Sequence, residues 1–451
     1  MAKYELDMTS GNLLKKIIVY TIPIMLTGIL QLLYNAADVA VVGQFAGKEA
    51  LAAVGSTGSL INLIISLFIG LSVGSSVSYA RSIGKGDLER ANRVVHTAVL
   101  VSVIASVFLT GIGIIFAKDF LRLMDSPEDV IDLATVYVQI YFGGIFFNLL
   151  YNFASSVVRA NGDTKRPLYI LMIAGIINVV LNLLFVIVFK MSADGVALAT
   201  VISQVFSAVA VMYILFKENG PLNFSFSKLK IDKDILKEMI LIGLPSGIQS
   251  AFFSISNVIV QKSVNGFGST IIAGNSTASN LEGFVHVSMN SVYQATLNFT
   301  SQNYGAKKAK NMKLVLIYSL GFVFVVGAVL GSLFYILGPY LARFYTSDSE
   351  VIGYALNRMR FVCLLYFICG LMDVLVGFLR GIGYSIIPMI VSLVGVCAFR
   401  VIWIFTIFEN LKTLDSLYIS YPISWAITVL TLVILILIFY PKVKKKMELA
   451  N

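Results

Sequence analysis

Charged side chains are scarce in this sequence. Asp, Glu, Lys and Arg make up 13% of its 451 residues, and 58% are hydrophobic, whereas soluble domains carry about 25% charged residues. Several apolar runs approach or exceed the roughly 20 residues that an α-helix needs to cross a bilayer. They lie at 97–117, 168–189, 314–338 and 423–440. The short alternating segments of a transmembrane β-barrel are missing from these runs, so the pattern predicts membrane-spanning helices.

Other features are also missing. The three cysteines fall inside predicted helices, and an odd number predicts no disulfide framework. We find no Walker loop, zinc-binding helix, nucleophile elbow or dinucleotide fingerprint. A membrane-embedded enzyme would need converging nucleophile, base or metal ligands, which the sequence does not display. We therefore expect a transporter that needs no cofactor and draws its energy from an ion gradient.

The apolar runs and their boundaries predict twelve spans, six in each half of the chain. The longest polar connection, at 217–236, separates two predicted lobes, 1–221 and 222–451. The predicted spans lie near 14–43, 52–80, 94–117, 131–158, 167–189, 195–216, 237–262, 271–303, 314–338, 352–379, 386–408 and 416–440.

Basic residues indicate the orientation of these spans. With the N-terminus inside, the cytoplasmic segments hold 24 of the 34 Lys and Arg residues and the opposite loops hold seven. This asymmetry follows the positive-inside rule and predicts that both termini are cytoplasmic. The net charge of +10 is spread over seven short segments, so we read it as a topology signal and expect no nucleic-acid partner.

The two halves repeat each other at an offset of about 221 residues. Arg159–Gly162 matches Arg380–Gly383, and Pro23 matches Pro245 at an offset of 222. Because each copy has an even number of spans, both copies enter the membrane from the same side. The prediction is an all-α polytopic membrane protein, with twelve transmembrane helices in two parallel six-helix repeats around a central cleft.

A polar stripe on the first span contains an acidic residue. Its members recur at helical spacing and share one face, which lipid would not tolerate. We therefore expect the stripe to face the bundle interior or a water-filled cavity, with Gln31, Tyr34 and Asn35 along the substrate cavity. Asp38 is predicted either to hold and release a proton or small cation, or to serve as a structural acid bonded to amides; burial of a carboxyl favours its protonated form. The stripe comprises Thr27, Gln31, Tyr34, Asn35 and Asp38. The fourth and fifth predicted spans each add a pair of amides one turn apart. These pairs are Asn148 with Asn152 and Asn178 with Asn182.

The eighth predicted span repeats the pattern. Its polar positions are Asn275, Ser279, Glu282, His286 and Asn290. We expect Glu282 to line the cavity and attract a cationic substrate, and His286 to be either a helix-packing histidine or a proton relay in the cavity. A third intramembrane acid, Asp373, either lines the cavity or is neutralised by Arg400 on the next span.

Together these segments resemble the multidrug and toxic compound extrusion (MATE) family. The resemblance is carried by YNAADVAVVGQFAGKEALAAVG around Asp38, and by SIGKGDLERA, VVRANGDTKRP, TSQNYGAKKA and FLRGIGYSIIP. It covers essentially the whole chain. The family implies two six-helix lobes around a cleft, and cation-driven antiport of organic, often cationic, compounds by a bacterial cytoplasmic-membrane protein that we expect to be monomeric.

The resemblance also implies roles for single residues. It places the coupling-ion acid at Asp38, with supporting residues at Asn152, Asn178 and Thr200. Many members carry a second acid where this sequence has Asn182, which weakens the inference that sodium binds at Asp38 and leaves H⁺ and Na⁺ both open as coupling ions. A lipid-linked-sugar flippase is the alternative function, although a basic cavity is not indicated, because the three intramembrane acids equal in number the intramembrane arginines Arg358, Arg360 and Arg400.

Overall fold

The computed structural model describes residues 6–123 and 128–449, without the side chains at positions 48, 51, 56, 59, 128 and 129. Every regular element in these ranges is a helix, which confirms the predicted all-α class. In lipid, a helix satisfies its own backbone hydrogen bonds, so apolar runs of this length adopt no other open structure.

The first half of the chain holds eight helices. The connection between α8 and α9, 218–232, contains one short 3₁₀ turn, Phe226–Lys228. Two π-helical segments, Val42–Ala46 and Leu184–Val188, follow α1 and α7. The helices are α1 (Leu13–Val41), α2 (Lys48–Lys85), α3 (Leu88–Ile115), α4 (Ala117–Leu123), α5 (Glu128–Gly143), α6 (Ile145–Ala160), α7 (Lys165–Leu183) and α8 (Ala193–Lys217).

The second half follows the same order with more interruptions. Two π-helical segments, Leu393–Ala398 and Ile404–Phe408, break the helix that was predicted at 386–408. The helices are α9 (Lys233–Asn265), α10 (Ser269–Gly305), α11 (Ala309–Ile336), α12 (Gly338–Ala342), α13 (Ser349–Val362), α14 (Tyr366–Gly381), α15 (Ile386–Ser392), α16 (Phe399–Trp403), α17 (Glu409–Leu411), α18 (Leu414–Tyr418) and α19 (Ser420–Leu449).

The described residues contain nine single helices that are long and apolar enough to cross a membrane, and eleven spans if each of two bent pairs counts as one. The pairs α5/α6 and α13/α14 bend by 45° and 46° where single straight helices were predicted. At the first bend, a side chain on Gly144 would meet Val201 at 2.4 Å. The remaining predicted span, α10, is 37 residues long but is not apolar enough to count among these spans. The total of twelve therefore stays a prediction.

The described helices form two compact units that exchange chain segments. One unit holds Leu26–Gly247, and the other holds Asp7–Met25 together with the chain from Ile248 onward. The division falls inside α1 and α9, close to the prolines within them, Pro23 and Pro245. The predicted division between residues 221 and 222 lies instead in the connection that precedes α9.

Polar contacts explain why the beginnings of α1 and α9 belong to these units. Ahead of α1, the backbone N–H of buried Met8 donates to Gln302 Oε1 at 2.9 Å. The carbonyl oxygen of Met8 accepts from Asn303 Nδ2 at 2.8 Å. At the start of α9, Glu238 accepts from Arg81 and Arg90, at 2.9 Å each. Each contact joins residues of a single unit.

Glycines bring α2 and α9 into close contact in the first unit. A side chain added to Gly70 would meet the backbone nitrogen of Gly247 at 2.3 Å, and one added to Gly74 would meet the carbonyl oxygen of Met239 at 2.2 Å. Gly243 faces the same contact, because a side chain added to it would meet the carbonyl oxygen of Gly70 at 2.7 Å. Small residues at this spacing let helix backbones pack directly against each other in membranes.

Candidate functional site

The acid on α1 lies near the end of the helix that carries the predicted stripe. Thr27 is buried, Tyr34 and Asp38 are half-buried, and Gln31 and Asn35 are exposed. A π-helical segment begins four residues after Asp38, and such segments occur often at functional sites. The structure thus places the whole stripe on α1, where Thr27 at one end is more buried than Asp38 at the other.

A chain of side-chain hydrogen bonds links α1 to α7 and α8. Asn182 Nδ2 donates both to the carboxylate of Asp38 and to Asn178 Oδ1, the latter at 3.3 Å. Asn178 Nδ2 donates to Thr200 Oγ1 at 3.4 Å, and the Thr200 hydroxyl donates to the carbonyl of Val196 at 3.0 Å. Asn182 and Asn178 are buried. We call Asp38, Asn182, Asn178 and Thr200 the carboxyl network.

The carboxyl network brings together four of the five residues that were predicted to couple ions. The fifth, Asn152, lies on α6 and donates to the carbonyl oxygen and side-chain oxygen of Asn148, at 2.9 and 3.1 Å. It makes no hydrogen bond to Asp38 among the described residues. Its role in ion coupling stays a prediction.

Tyr34 fixes the contact between α1 and α7. Its hydroxyl donates to the carbonyl oxygen of Met172 at 3.2 Å. Its ring lies over Gly175, where an added side chain would meet the ring at 1.7 Å. Tyr34 therefore orients the helix that carries Asp38 against the helix that carries Asn182, in addition to its predicted place along a cavity.

In the second unit, Glu282 is engaged in a two-point ion pair. Arg358 Nε and Nη2 donate to its two carboxylate oxygens at 2.9 and 2.7 Å, and Arg358 Nη1 donates to Asn275 Oδ1 at 2.8 Å. Both ionic side chains are less than a tenth exposed. This corrects the expectation that Glu282 presents a free negative charge to a cationic substrate, because the adjacent guanidinium neutralises it.

The pairing of Asp373 with Arg400, offered as one alternative from the sequence, is not present. No ion pair joins them within the described residues, and Asp373 Oδ2 has no hydrogen-bond partner there. Arg400 instead donates from Nε to Ser424 Oγ at 3.1 Å. The third polar candidate, His286, stacks on Tyr366 with ring centroids 6.2 Å apart.

Sequence reasoning missed the residues that complete this second cluster. Arg358 was noted only as an intramembrane charge, and its partner could not be read from a separation of 76 positions. Gln261 was not singled out, although its Oε1 accepts from Asn275 Nδ2 at 2.7 Å. An intramembrane arginine is itself a signal that a carboxylate partner exists, and Glu282 was the available acid on a neighbouring span.

Comparison with known proteins bears on both halves of the chain. The model of the MatE family matches twice, at residues 23–184 and 245–406. The chain belongs to the MatE family. The two matches are offset by 222 residues, which confirms the internal repeat, and membership in this family of multi-pass membrane transporters confirms that the chain is not an enzyme.

Relatives of this MatE protein span most of its length. It is 29% identical over 440 residues to a probable multidrug resistance protein of Bacillus subtilis, with 96% of this chain and 94% of the relative covered. It is 24% identical over 335 residues to a protein of Shewanella oneidensis named as a FAD transporter, covering 72% and 73%. A solved MATE transporter in an outward-facing conformation matches its fold with a TM-score of 0.90 at 24% identity, covering 96% and 97%.

Proposed function

We propose that this MatE protein exports organic molecules by exchange for a coupling cation, with alternating access of a central cleft. The relatives named for multidrug resistance support export of varied organic compounds. Two repeated halves suit a rocking movement around a fixed site. The location that follows is a bacterial cytoplasmic membrane with both termini inside, although residues 1–5 and 450–451 lie outside the described part.

The carboxyl network is the observation that carries the coupling proposal. Asp38 is the carboxylate of this network, and an ionisable side chain within a span needs a partner or a function. Its partner, Asn182, offers a donor to the charged carboxylate and an acceptor to a carboxylic acid. Asp38 is therefore proposed to take up the coupling ion when substrate has left and to release it when substrate binds.

The bonding pattern favours a proton over sodium as the coupling ion. Sodium, like other hard cations, requires several converging oxygens. In the carboxyl network, Asn178 Oδ1 already accepts from Asn182, and Thr200 Oγ1 accepts from Asn178. Asn182 directs a nitrogen at Asp38. A proton needs only the carboxylate and one acceptor for its hydrogen bond.

The proposed substrates are aromatic organic molecules, with cations first because Asp38 supplies a negative charge. The relative named for FAD indicates that large, flat, acidic molecules belong to the range of this sequence neighbourhood. We treat the working unit as a monomer in the bilayer, without nucleic-acid partners.

Efflux from proteoliposomes tests the proposal. The purified chain is reconstituted with a cationic dye such as ethidium, and a pH gradient or a sodium gradient is imposed separately. We expect the pH gradient to drive dye movement and the sodium gradient at constant pH to drive less than a tenth of it. Movement driven by neither gradient would contradict ion coupling, and movement driven by sodium alone would contradict proton coupling.

A further inference from the structure

Three arginines are buried in the described part of the chain, and all belong to the second unit. Arg358 is neutralised by Glu282. Arg380 donates to the Tyr293 hydroxyl at 2.7 Å and to Gln249 Oε1 at 2.8 Å. The third, Arg400, is 4% exposed, and no carboxylate lies within 4 Å of it among the described residues.

The surroundings of Arg400 are aromatic. Its guanidinium carbon lies 4.0 Å from the ring centroid of Tyr421 and 5.6 Å from that of Trp425. Trp425 stacks on Tyr366 with centroids 5.2 Å apart and an angle of 21°. Aromatic faces attract a guanidinium, but they do not neutralise its charge as a carboxylate or phosphate would.

The terminal nitrogens of Arg400 remain available. Within the described residues, its hydrogen bond to Ser424 uses Nε, and its two Nη atoms are not among the enclosed polar atoms without a partner. Each of them therefore keeps some accessible surface, although the side chain as a whole is buried. A guanidinium in this position presents the two-donor edge that matches a carboxylate or phosphate.

Local backbone structure holds Arg400 in place. The single turn of α16 that carries it lies between two π-helical segments, Leu393–Ala398 and Ile404–Phe408. In the first of these, a side chain on Gly395 would meet Thr428 Oγ1 at 2.3 Å, so the glycine allows close packing against α19. Since α19 also carries Ser424 and Trp425, the charged group and its aromatic wall are fixed by one helix contact.

We propose that Arg400, Tyr421 and Trp425 bind an acidic group attached to a flat aromatic ring in the transported molecule. The Nη edge of Arg400 pairs with the carboxylate or phosphate, and the rings of Tyr421 and Trp425 lie beside the aromatic part. This extends the proposed function from cations to a second substrate class, aromatic acids and zwitterions, and rests on it only for the statement that the bound molecule is exported.

Tryptophan fluorescence tests binding without any ion gradient. The chain has two tryptophans, so Trp403→Phe leaves Trp425 as the sole reporter beside Arg400. The purified full chain in detergent is titrated with 1-naphthoate, 1-naphthyl phosphate and the neutral 1-naphthamide. We expect Trp425 emission to give each of the two anions a Kd at least tenfold lower than the Kd of the amide. Equal Kd values for the anions and the amide would overturn the proposal, and this test needs no variant of Arg400.

Variants then assign the effect to the guanidinium. Arg400→Gln should raise the naphthoate Kd about tenfold and leave the amide Kd unchanged, as expected from the loss of a charge-assisted hydrogen bond. Arg400→Lys should retain part of the preference, and Arg360→Gln, at an exposed arginine, should retain all of it. An unchanged anion preference in Arg400→Gln would overturn the assignment.

A lipid headgroup is the other source of an anionic group in a membrane. Phosphatidylglycerol is therefore titrated in place of naphthoate. If the Kd of phosphatidylglycerol, measured by Trp425 emission, is as low as that of naphthoate, the occupant is a headgroup and the substrate assignment is overturned. None of these binding measurements uses a gradient. The binding result can therefore be interpreted even if the proteoliposome experiment shows no ion coupling, and ion coupling can be interpreted even if naphthoate does not bind.

Discussion

Asn182 donates its side-chain amide to the carboxylate of Asp38, and so connects α7 to the acidic position of α1. Asn182 is fully buried, and its own oxygen has no hydrogen-bond partner within the described residues. An amide rotated by half a turn would present that oxygen to Asp38. The same residue can thus stabilise the carboxylate and, after rotation, the carboxylic acid.

Replacement of Asp38 by Asn should abolish export. The variant keeps the shape and polarity of the side chain but removes the group that gains and loses a proton. We expect a cationic dye to accumulate in cells to the level seen without the transporter, while the amount of protein in the membrane stays normal. Measurement of dye efflux beside immunodetection of the protein checks both expectations, and normal efflux would exclude a coupling role for Asp38.

Replacement of Asn182 by Asp should change the ion that drives export. Two neighbouring carboxylates repel each other when both are charged, and a bound cation relieves that repulsion. We expect proton-driven efflux from proteoliposomes to fall at least about fivefold and sodium-driven efflux to appear. The matched control is Asn410→Asp, which adds the same carboxylate at an exposed asparagine whose amide donates to the carbonyl of Thr406, and it should keep proton-driven efflux within about twofold. If Asn182→Asp keeps the parent ion preference, the carboxyl network does not select the ion.

Replacement of Glu282 by Gln should destabilise the protein and reduce export of all substrates together. It leaves the Arg358 guanidinium buried without its charge partner, which typically costs about 3–5 kcal/mol. Thermal unfolding of the purified protein should show a lower Tm, and efflux of cationic and neutral substrates should fall in equal proportion.

The double variant Glu282→Leu with Arg358→Met serves as the control for Glu282→Gln. It removes both charges of the ion pair, and we expect it to recover much of the lost Tm. Selective loss of cation export by Glu282→Gln, with a normal Tm, would restore the original expectation that this carboxylate attracts substrate.

Replacement of Gly70 by Val should prevent close packing of α2 against α9. The added atoms meet backbone at 2.3 Å, which no side-chain rearrangement can relieve. We expect the yield of monodisperse protein to fall severalfold by size-exclusion chromatography. Gly58→Val on the same helix adds the same group where no atom lies within 4 Å, and its yield should match the parent. Equal yields of the two variants would show that the glycine contact is dispensable.

Much of the fold could be predicted because membrane helices follow hydropathy and loop charge. The helical class, the repeat and the polar stripe ending at Asp38 required only composition and spacing. The bend at Gly144 was missed, since a glycine inside a continuous apolar run does not reveal that Val201 of another helix fills its place. The exchange of segments inside α1 and α9 was missed for the same reason: it depends on contacts between distant positions.

The candidate site shows the same limit. Asn178 and Asn182, one turn apart on a single helix, could be recognised from spacing, and the structure joins them to Asp38. The partner of Glu282 is on a different helix and required tertiary structure. For Arg400, proximity in the predicted helix order suggested Asp373, whereas the structure places its Nε beside Ser424.

If Asp38 couples export to a proton, substrate binding and protonation of Asp38 exclude each other. Purified protein in weakly buffered detergent solution is mixed with a saturating cationic substrate at a series of pH values, and released protons are measured with a pH indicator. Linkage between the two ligands predicts release of about one proton per molecule from the parent protein at its optimum and none from Asp38→Asn. Equal proton release by the parent and by Asp38→Asn would contradict the account.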